Sequence, residues 1–431
     1  MSRPPAAADD QGYAEALAEL FALERNWARD GDTGEAWDLD QTRALLTALG
    51  QPHLRWPSVH VAGTNGKGTT AHAVAALAQS AGLRIGLYTS PHYVDFAERI
   101  RVDGRPAEHA WIAAWLREHL PLARRLNASY FETAVAMAFA YFAERGVELA
   151  VVEVGMGGRL DSTNVITPLV SVVTNIGLDH VAQLGPTLAH IAREKAGIVK
   201  PYTPLVVGRR QAETEAVFAE ATRAHHAHLS YAPPLAPDDP LVDASGLVGP
   251  FVAENLAAAA AAWRIAARRH PLRPAEAPRL RGTVLELTGY RGRFQRLREN
   301  PLTLLDAGHN VDAWARSVPA LLDLAAGRRL HLVVGLTAGR DATELLRLLP
   351  NDARVYTGPI AFARRAVSKD VVAEAAAPRK VHVAASLTEA YQAALKAATT
   401  EDAVLVIGSS FAVGDVLAYE ATRDKSGAPA N

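Results

Sequence analysis

Residues 58–80 read "SVHVAGTNGKGTTAHAVAALAQS": an apolar run of strand length, a turn with three glycines, then an alanine-rich stretch of helical character. Few folds accept that order. A short continuous apolar run suits a strand buried on both faces, which points to a parallel sheet covered by helices. Strand, glycine loop and helix in succession open a right-handed α/β unit. Gly63, Gly66 and Gly68 let backbone amides face one anion, and the helix that follows adds its positive end. Lys67 supplies a full charge, and Thr69 or Thr70 a hydroxyl. The spelling still departs from the usual G-x-x-x-x-G-K-[ST]. Gly68 follows Lys67, the hydroxyl comes one place late, and Val61 holds the first glycine's position. The stretch therefore reads as a nucleotide loop whose subclass the local spelling leaves open, with a bare glycine turn as its rival.

The same alternation continues along the chain. A strand is expected at 84–90 and apolar runs of strand length lie at 147–155 and 169–177, separated by helical stretches, and five more strands follow from about residue 302. Helical spacing also predicts helices over 13–26 and 41–50, after a short disordered tail over 1–10. The Pro- and Asp-rich segment 231–246 reads as a surface excursion. Two glycines in "LTGYRGRFQRL" break the pattern near residue 290, so the expected domains are 1–290 and 291–431. Net charge is -1, from 45 basic and 46 acidic side chains, which excludes a polyanion binder acting through bulk charge. No nucleic-acid partner is expected. With no cysteine there are no disulfides, thiolate metal sites or cysteine nucleophiles. No window approaches the roughly 18 apolar residues of a membrane span, and a cytoplasmic location is expected.

Individual residues then suggest chemistry. Glu153 ends a buried strand, where an unpaired carboxylate is costly; a metal ion or nearby loop amides would compensate it. His180, in "GLDH", follows a buried strand at the position where α/β sites form, as does Asp306 in "LLDAGHN". Lys195, on an amphipathic helix, reads by itself as a solvated charge, and Asn255 as an ordinary helix residue.

The blocks "HVAGTNGKGTT", "TSPHYVDFAERIRVDG", "EVGMGGRLDSTNV", "TNIGLDHVAQLGPTLAHIAREKAGIVKP", "GRFQRL" and "DAGHN" occur in that order across 60–310. Together they closely resemble the folylpolyglutamate synthase and dihydrofolate synthase family, a branch of the Mur ligases in which G-T-N-G-K-G-[ST] is the normal loop. The resemblance implies a P-loop-containing parallel-sheet ATPase domain followed by a smaller Rossmann-like α/β domain. It implies amide ligation, with ATP as co-substrate, of L-glutamate to dihydropteroate or a reduced folate, through an acyl phosphate. The nucleotide would meet Thr64, Asn65, Gly66, Lys67, Gly68, Thr69, Thr70, Asn255, Arg293 and Asp306. Ser90, Glu153 and His180 would bind Mg²⁺, spread over two ions. Lys67, Lys195, His180 and His309 would serve catalysis, with Lys195 carrying a carbamate. The pterin would lie against Ser129, Tyr130, Phe131 and Glu132, and against Leu160, Asp161 and Ser162. "SYFETA" reads equally as the start of a core helix with Phe131 packed inward. A monomer is expected.

Three departures from the family pattern stand out. "YRGRF" replaces W-P-G-R-F at Tyr290 and Arg291, "DAGHNV" replaces D-G-A-H-N-P, and Arg340–Asp341 replaces K-D. Two rival readings remain at this level. A peptidoglycan-type Mur ligase carries a whole domain before the loop, where this sequence has about sixty residues, too few for a typical domain. A P-loop switch would hydrolyse ATP without glutamate or folate.

Overall fold

The computed structural model describes residues 8–23, 38–272, 274–361 and 366–426. The first seven residues of the expected tail, and residues 24–26 of the first expected helix, lie outside the described set. Ala8 already opens a helix, Ala8–Phe21. The chain forms two compact units. The first takes residues up to Ser90, Ala97–Gly246 and Ala253–Tyr290; the second takes Pro91–Phe96, Leu247–Val252 and Arg291 onward.

The first unit is built on eight strands: β1 (Ser58–Ala62), β2 (Ile85–Tyr88), β3 (Ile100–Val102), β4 (Arg105–Pro106), β5 (Leu149–Glu153), β6 (Val170–Val173), β7 (Leu205–Val207) and β8 (Leu229–Tyr231). Their order is β4-β3-β2-β5-β1-β6-β7-β8. The six strands from β2 to β8 in that order are parallel, and β3 and β4 add an antiparallel edge. Every residue of β1, β2, β5, β6 and β7 is buried, which is why the first four read as short, mainly apolar runs. The β3–β4 hairpin was not anticipated. Asp103 and Gly104 both have positive φ at its tip, the conformation that favours an Asp-Gly pair in a two-residue hairpin.

The second unit holds β9 (Gln295–Glu299), β10 (Leu302–Asp306), β11 (Leu330–Val334), β12 (Arg354–Thr357), β13 (Lys380–Val383) and β14 (Ala403–Ile407), ordered β13-β12-β11-β14-β10-β9. All are parallel except β9, which runs antiparallel to β10. Alternate residues enter opposite cores, as the period of two requires. Leu304, Leu332 and Leu405 pack with Trp314 on one face; Leu305, Val333 and Val404 pack with Tyr391 on the other. Among the described helices, none is long and apolar enough to cross a membrane.

Candidate functional site

In the first unit, β2, β5, β1 and β6 are neighbours, so the loops leaving their carboxyl ends meet at one edge of the sheet. Register brings Val61 opposite Glu153 and Ala62 opposite Val173. The loop after β1 turns through Gly66, whose φ of 80 caps the helix Lys67–Ser80. A side chain at Gly66 would strike Asn255. The segment after β6 braces the loop from below. Thr64 N donates to Asn175 O at 2.9 Å, and Asn65 N to Asn175 Oδ1 at 3.1 Å. Thr174 Oγ1 and Asn175 Nδ2 both donate to Asn65 O, at 2.6 and 2.9 Å. The Thr64 hydroxyl donates to Gly177 O and accepts from Gly177 N. Thr174 and Asn175 were not singled out from sequence; the "TN" directly after a buried strand was their signal.

Lys67 is half-buried, its Nζ donating to Thr64 O at 3.2 Å. The two threonines part company. Thr70 is fully buried with its hydroxyl toward Asn255 Oδ1 at 3.5 Å, while Thr69 Oγ1 lies 2.9 Å from the Tyr290 hydroxyl. Asn255 is 4% exposed and supports the loop at Gly66 and Thr70 rather than standing at an open rim. Glu153 is buried, and its Oε2 accepts from Ser90 N at 3.0 Å. A Cβ on Gly68 would lie 3.5 Å from that same oxygen, so the helix start and this carboxylate face each other. Both proposed explanations of a carboxylate here, loop amide and metal ion, remain chemically compatible.

Lys195 lies at the end of the helix Leu188–Ala196 and is 4% exposed, not solvated. Its burial comes from the loop after β5, which wraps over the helix end. Arg159 N donates to Glu194 O at 2.8 Å, and Asn164 Nδ2 to Gly197 O at 3.0 Å. Gly158 permits this approach, since a Cβ there would press on Glu194 O and the Lys195 backbone. Burial, then the neighbouring Lys67 charge, brings the Lys195 amine down to about 7, against the opposing pull of Asp179, Asp161 and Glu194. His180 has a left-handed backbone, with its N donating to Asp179 Oδ1 at 2.8 Å and its Nε2 3.8 Å from the same oxygen.

The expected pterin residues divide by what they already do. Ser129 and Glu132 form a capping box at the start of the helix Tyr130–Glu144, and Glu132 Oε1 also accepts from Thr42. Those two polar side chains are therefore engaged in holding the helix, a role their S-x-x-E spacing spells. Tyr130 and Phe131 are half-buried, and Phe131 reaches Gly155 beside the Asp161 carboxylate. Asp161 accepts from Met156 N at 2.9 Å and from Thr163 N at 3.0 Å; burial pushes its carboxyl up, against the Thr163 hydroxyl and the Met156, Thr163 and Gly155 amides. Ser162 is buried and Leu160 half-buried in the same loop.

In the second unit, Asp306 closes β10 and is 3% exposed. Burial raises its carboxyl, and the Arg293 guanidinium with the Gly308 and Phe294 amides pulls the other way. His309 Nδ1 lies 3.2 Å from Ala307 O, and Asn310 caps the helix Val311–Leu324 by accepting from Ala313 N at 2.8 Å. Val311 thus takes the first helical position, where a proline suits the family pattern and is not required by the cap. Asp341 likewise caps the helix Ala342–Leu346.

Among the described residues, no three His, Asp or Glu side chains converge as a ready metal cage. A magnesium ion needs no such cage, since it takes one or two protein carboxylates and completes its shell with phosphate oxygens and water.

The Mur ligase middle domain family matches residues 61–263, and the Mur ligase glutamate ligase domain family residues 292–410. The chain is 32% identical to the folylpolyglutamate synthase of Lacticaseibacillus casei over 82% of its own length and 87% of that protein's. It is 34% identical to a probable bifunctional folylpolyglutamate synthase/dihydropteroate synthase of Haloferax volcanii, and there spans 50% of the relative's length. Its fold is similar to E. coli FolC in complex with DHPP and ADP, with a TM-score of 0.80, 27% identity, and 97% and 100% of the two chains covered. A bifunctional folylpolyglutamate synthase/dihydrofolate synthase with Mn, AMPPNP and L-glutamate bound gives a TM-score of 0.78 at 28% identity, covering 95% of this chain and 98% of that one. Two ligase domains in sequence, and a relative of that identity over most of both lengths, carry the assignment. The chain belongs to the folylpolyglutamate synthase and dihydrofolate synthase family, ATP-dependent ligases of the Mur superfamily.

Proposed function

We propose that the protein joins the amine of L-glutamate to a carboxylate of dihydropteroate or of a reduced folate, at the expense of ATP. The observation that carries this reading is the meeting, at one sheet edge, of the braced loop with Lys67 and the buried Glu153 carboxylate, with a buried Lys195 whose pKa the Lys67 charge helps to lower. A carboxylate is a poor electrophile, so one of its oxygens first attacks the γ-phosphorus of ATP and ADP leaves. The glutamate amine then attacks the acyl carbon, the tetrahedral intermediate expels phosphate, and the amine's protons pass to solvent. The loop amides and Lys67 hold the phosphates and offset their charge. Glu153, Ser90 and His180 are the residues that would hold magnesium, which when bound supplies further charge neutralisation at the phosphates. The manganese-bound relative supports a divalent ion in such a site. Tyr130 and Phe131 offer flat faces for a pterin, with Leu160, Asp161 and Ser162 beside them.

Lys195 is proposed to carry a carbamate. Its unprotonated amine adds CO₂ and releases a proton, so a cation becomes an anion with two oxygens for a metal. Burial of the lysine and its lowered pKa support this. The second unit is proposed to contribute Arg293, Asp306 and His309. Arg293→Ala is expected to cut turnover by roughly a hundredfold while the thermal midpoint changes little. Asp306 protonates more readily once the guanidinium is gone, because that guanidinium is the largest of the pulls opposing the upward push of burial on its carboxyl. Steady-state rates and a melting curve on the same sample check this; unchanged turnover would remove Arg293 from the site. The protein is taken as a cytoplasmic monomer acting on small molecules, without a nucleic-acid or membrane partner.

The reading is tested with purified protein, ATP, Mg²⁺ and glutamate, offered dihydropteroate and tetrahydrofolate in separate reactions and followed by mass spectrometry. A product heavier by one glutamyl residue is expected with at least one acceptor. ATP hydrolysis that ignores both acceptor and glutamate would instead favour a nucleotide switch.

A further inference from the structure

Tyr290 is one of the positions at which this chain leaves its family's pattern, and its hydroxyl lies 2.9 Å from Thr69 Oγ1 in the phosphate loop. The two residues are 221 positions apart, and the segment that carries Tyr290 is held firmly. The helix Val284–Thr288 has a Thr283–Glu286 capping box at its start and closes on Gly289, whose N donates to Leu285 O at 2.7 Å. Tyr290 then lies over the first turns of the helix Lys67–Ser80. Its ring meets that of His72 edge-on, with centroids 5.2 Å apart and an interplanar angle of 68°. Thr69 and His72 are three residues apart and share a helix face, so one aromatic ring touches both.

His72 is itself fixed. The Thr288 hydroxyl donates to Val284 O at 2.6 Å, so toward His72 Nδ1, 2.7 Å away, it accepts. The imidazole therefore carries its proton on Nδ1. Burial and the nearby Arg101 charge keep the ring neutral at any ordinary pH. A neutral, hydrogen-bonded imidazole gives the Tyr290 ring a rigid wall and leaves the phenol oxygen directed at Thr69.

We propose that Tyr290 is a positioning residue for the Thr69 hydroxyl, accepting its hydrogen bond so that the Thr69 oxygen lone pairs face a nucleotide-bound cation. A hydroxyl that gives a lone pair to a cation needs an acceptor for its own hydrogen, and a phenol oxygen can accept as well as donate. Thr70 does not fill this place, because it is fully buried, whereas Thr69 is only half-buried. The proposal rests on the nucleotide reading of the loop, so its test must separate the two.

The probe is a non-hydrolysable ATP analogue, titrated calorimetrically with Mg²⁺ and again with excess chelator, on wild type, Tyr290→Phe, Thr69→Ala and the double variant. Wild type should bind more tightly with Mg²⁺; if it shows no magnesium-dependent binding, the nucleotide-site reading itself fails. Tyr290→Phe should weaken binding about three- to tenfold in Mg²⁺, leave binding in chelator unchanged, and keep the melting midpoint. In the Thr69→Ala background the Tyr290→Phe change should have no further effect. Equal loss with and without Mg²⁺, no loss at all beside a magnesium-dependent wild type, or an undiminished effect in the Thr69→Ala background would each overturn the proposal.

Discussion

Replacing Lys67 with alanine is expected to lower ligation turnover by roughly a thousandfold. The side chain is half-buried and its one described hydrogen bond runs to Thr64 O within its own loop. The loop is meanwhile held by Thr174, Asn175 and Gly177, none of which depends on Lys67. Folding should therefore survive while the charge at the phosphates is lost. The substitution has a second effect. Lys67 is one of the two causes that lower the Lys195 pKa, so its removal should raise that value and shrink the unprotonated fraction at neutral pH. Rates of ADP release beside a melting curve measure the first effect, and a carbamate signal from labelled CO₂ measures the second. A variant that keeps wild-type turnover would break the phosphate reading of the loop.

Lys195→Ala is expected to cost roughly a hundredfold or more in turnover. Wild-type protein stripped of CO₂ should lose activity and regain it on adding bicarbonate, while the alanine variant should not respond. The pH dependence has a definite sign. Only the unprotonated amine captures CO₂, and with a pKa of about 7 that fraction falls as pH drops below 7 and is nearly complete above 8. Loss of carbamate should therefore appear on the acid side. Stability follows the same linkage. The folded pKa lies below that of the unfolded chain, so between about pH 7 and about 10 the unfolded state binds more protons and stability rises with pH. Lys195→Met should remove that contribution. Bicarbonate-independent activity in wild type would contradict the carbamate.

The central strands were legible because burial on both faces makes them mainly apolar, as in β5 and β14, with an occasional hydrogen-bonded polar residue such as His60 in β1. The edges were not. β9 is "QRLRE", half-exposed and charged, and it reads as a linker until β10 is beside it. β7 is three residues long, too short for a periodic signal. Site residues followed the same division. Lys67 and Glu153 are announced by their neighbours, a glycine loop and a buried strand. Lys195 shows only the pattern of a helix face; its burial comes from residues 158–164 folding over it, which local sequence does not encode. Asn255 and Tyr290 meet the loop across long sequence separations, and no periodicity reports such contacts. Ser129 and Glu132 carried two messages at once. Their spacing spells a helix cap, and the cap is what their side chains form.

The acyl phosphate is tested most directly by following a heavy-oxygen label placed in the acceptor's carboxylate. In the proposed sequence that carboxylate oxygen attacks phosphorus and later leaves with it, so one labelled oxygen should appear in inorganic phosphate for each amide bond formed. Phosphate free of label, alongside normal amide product, would mean that the carboxylate never takes the phosphoryl group, and the account would be wrong at its centre.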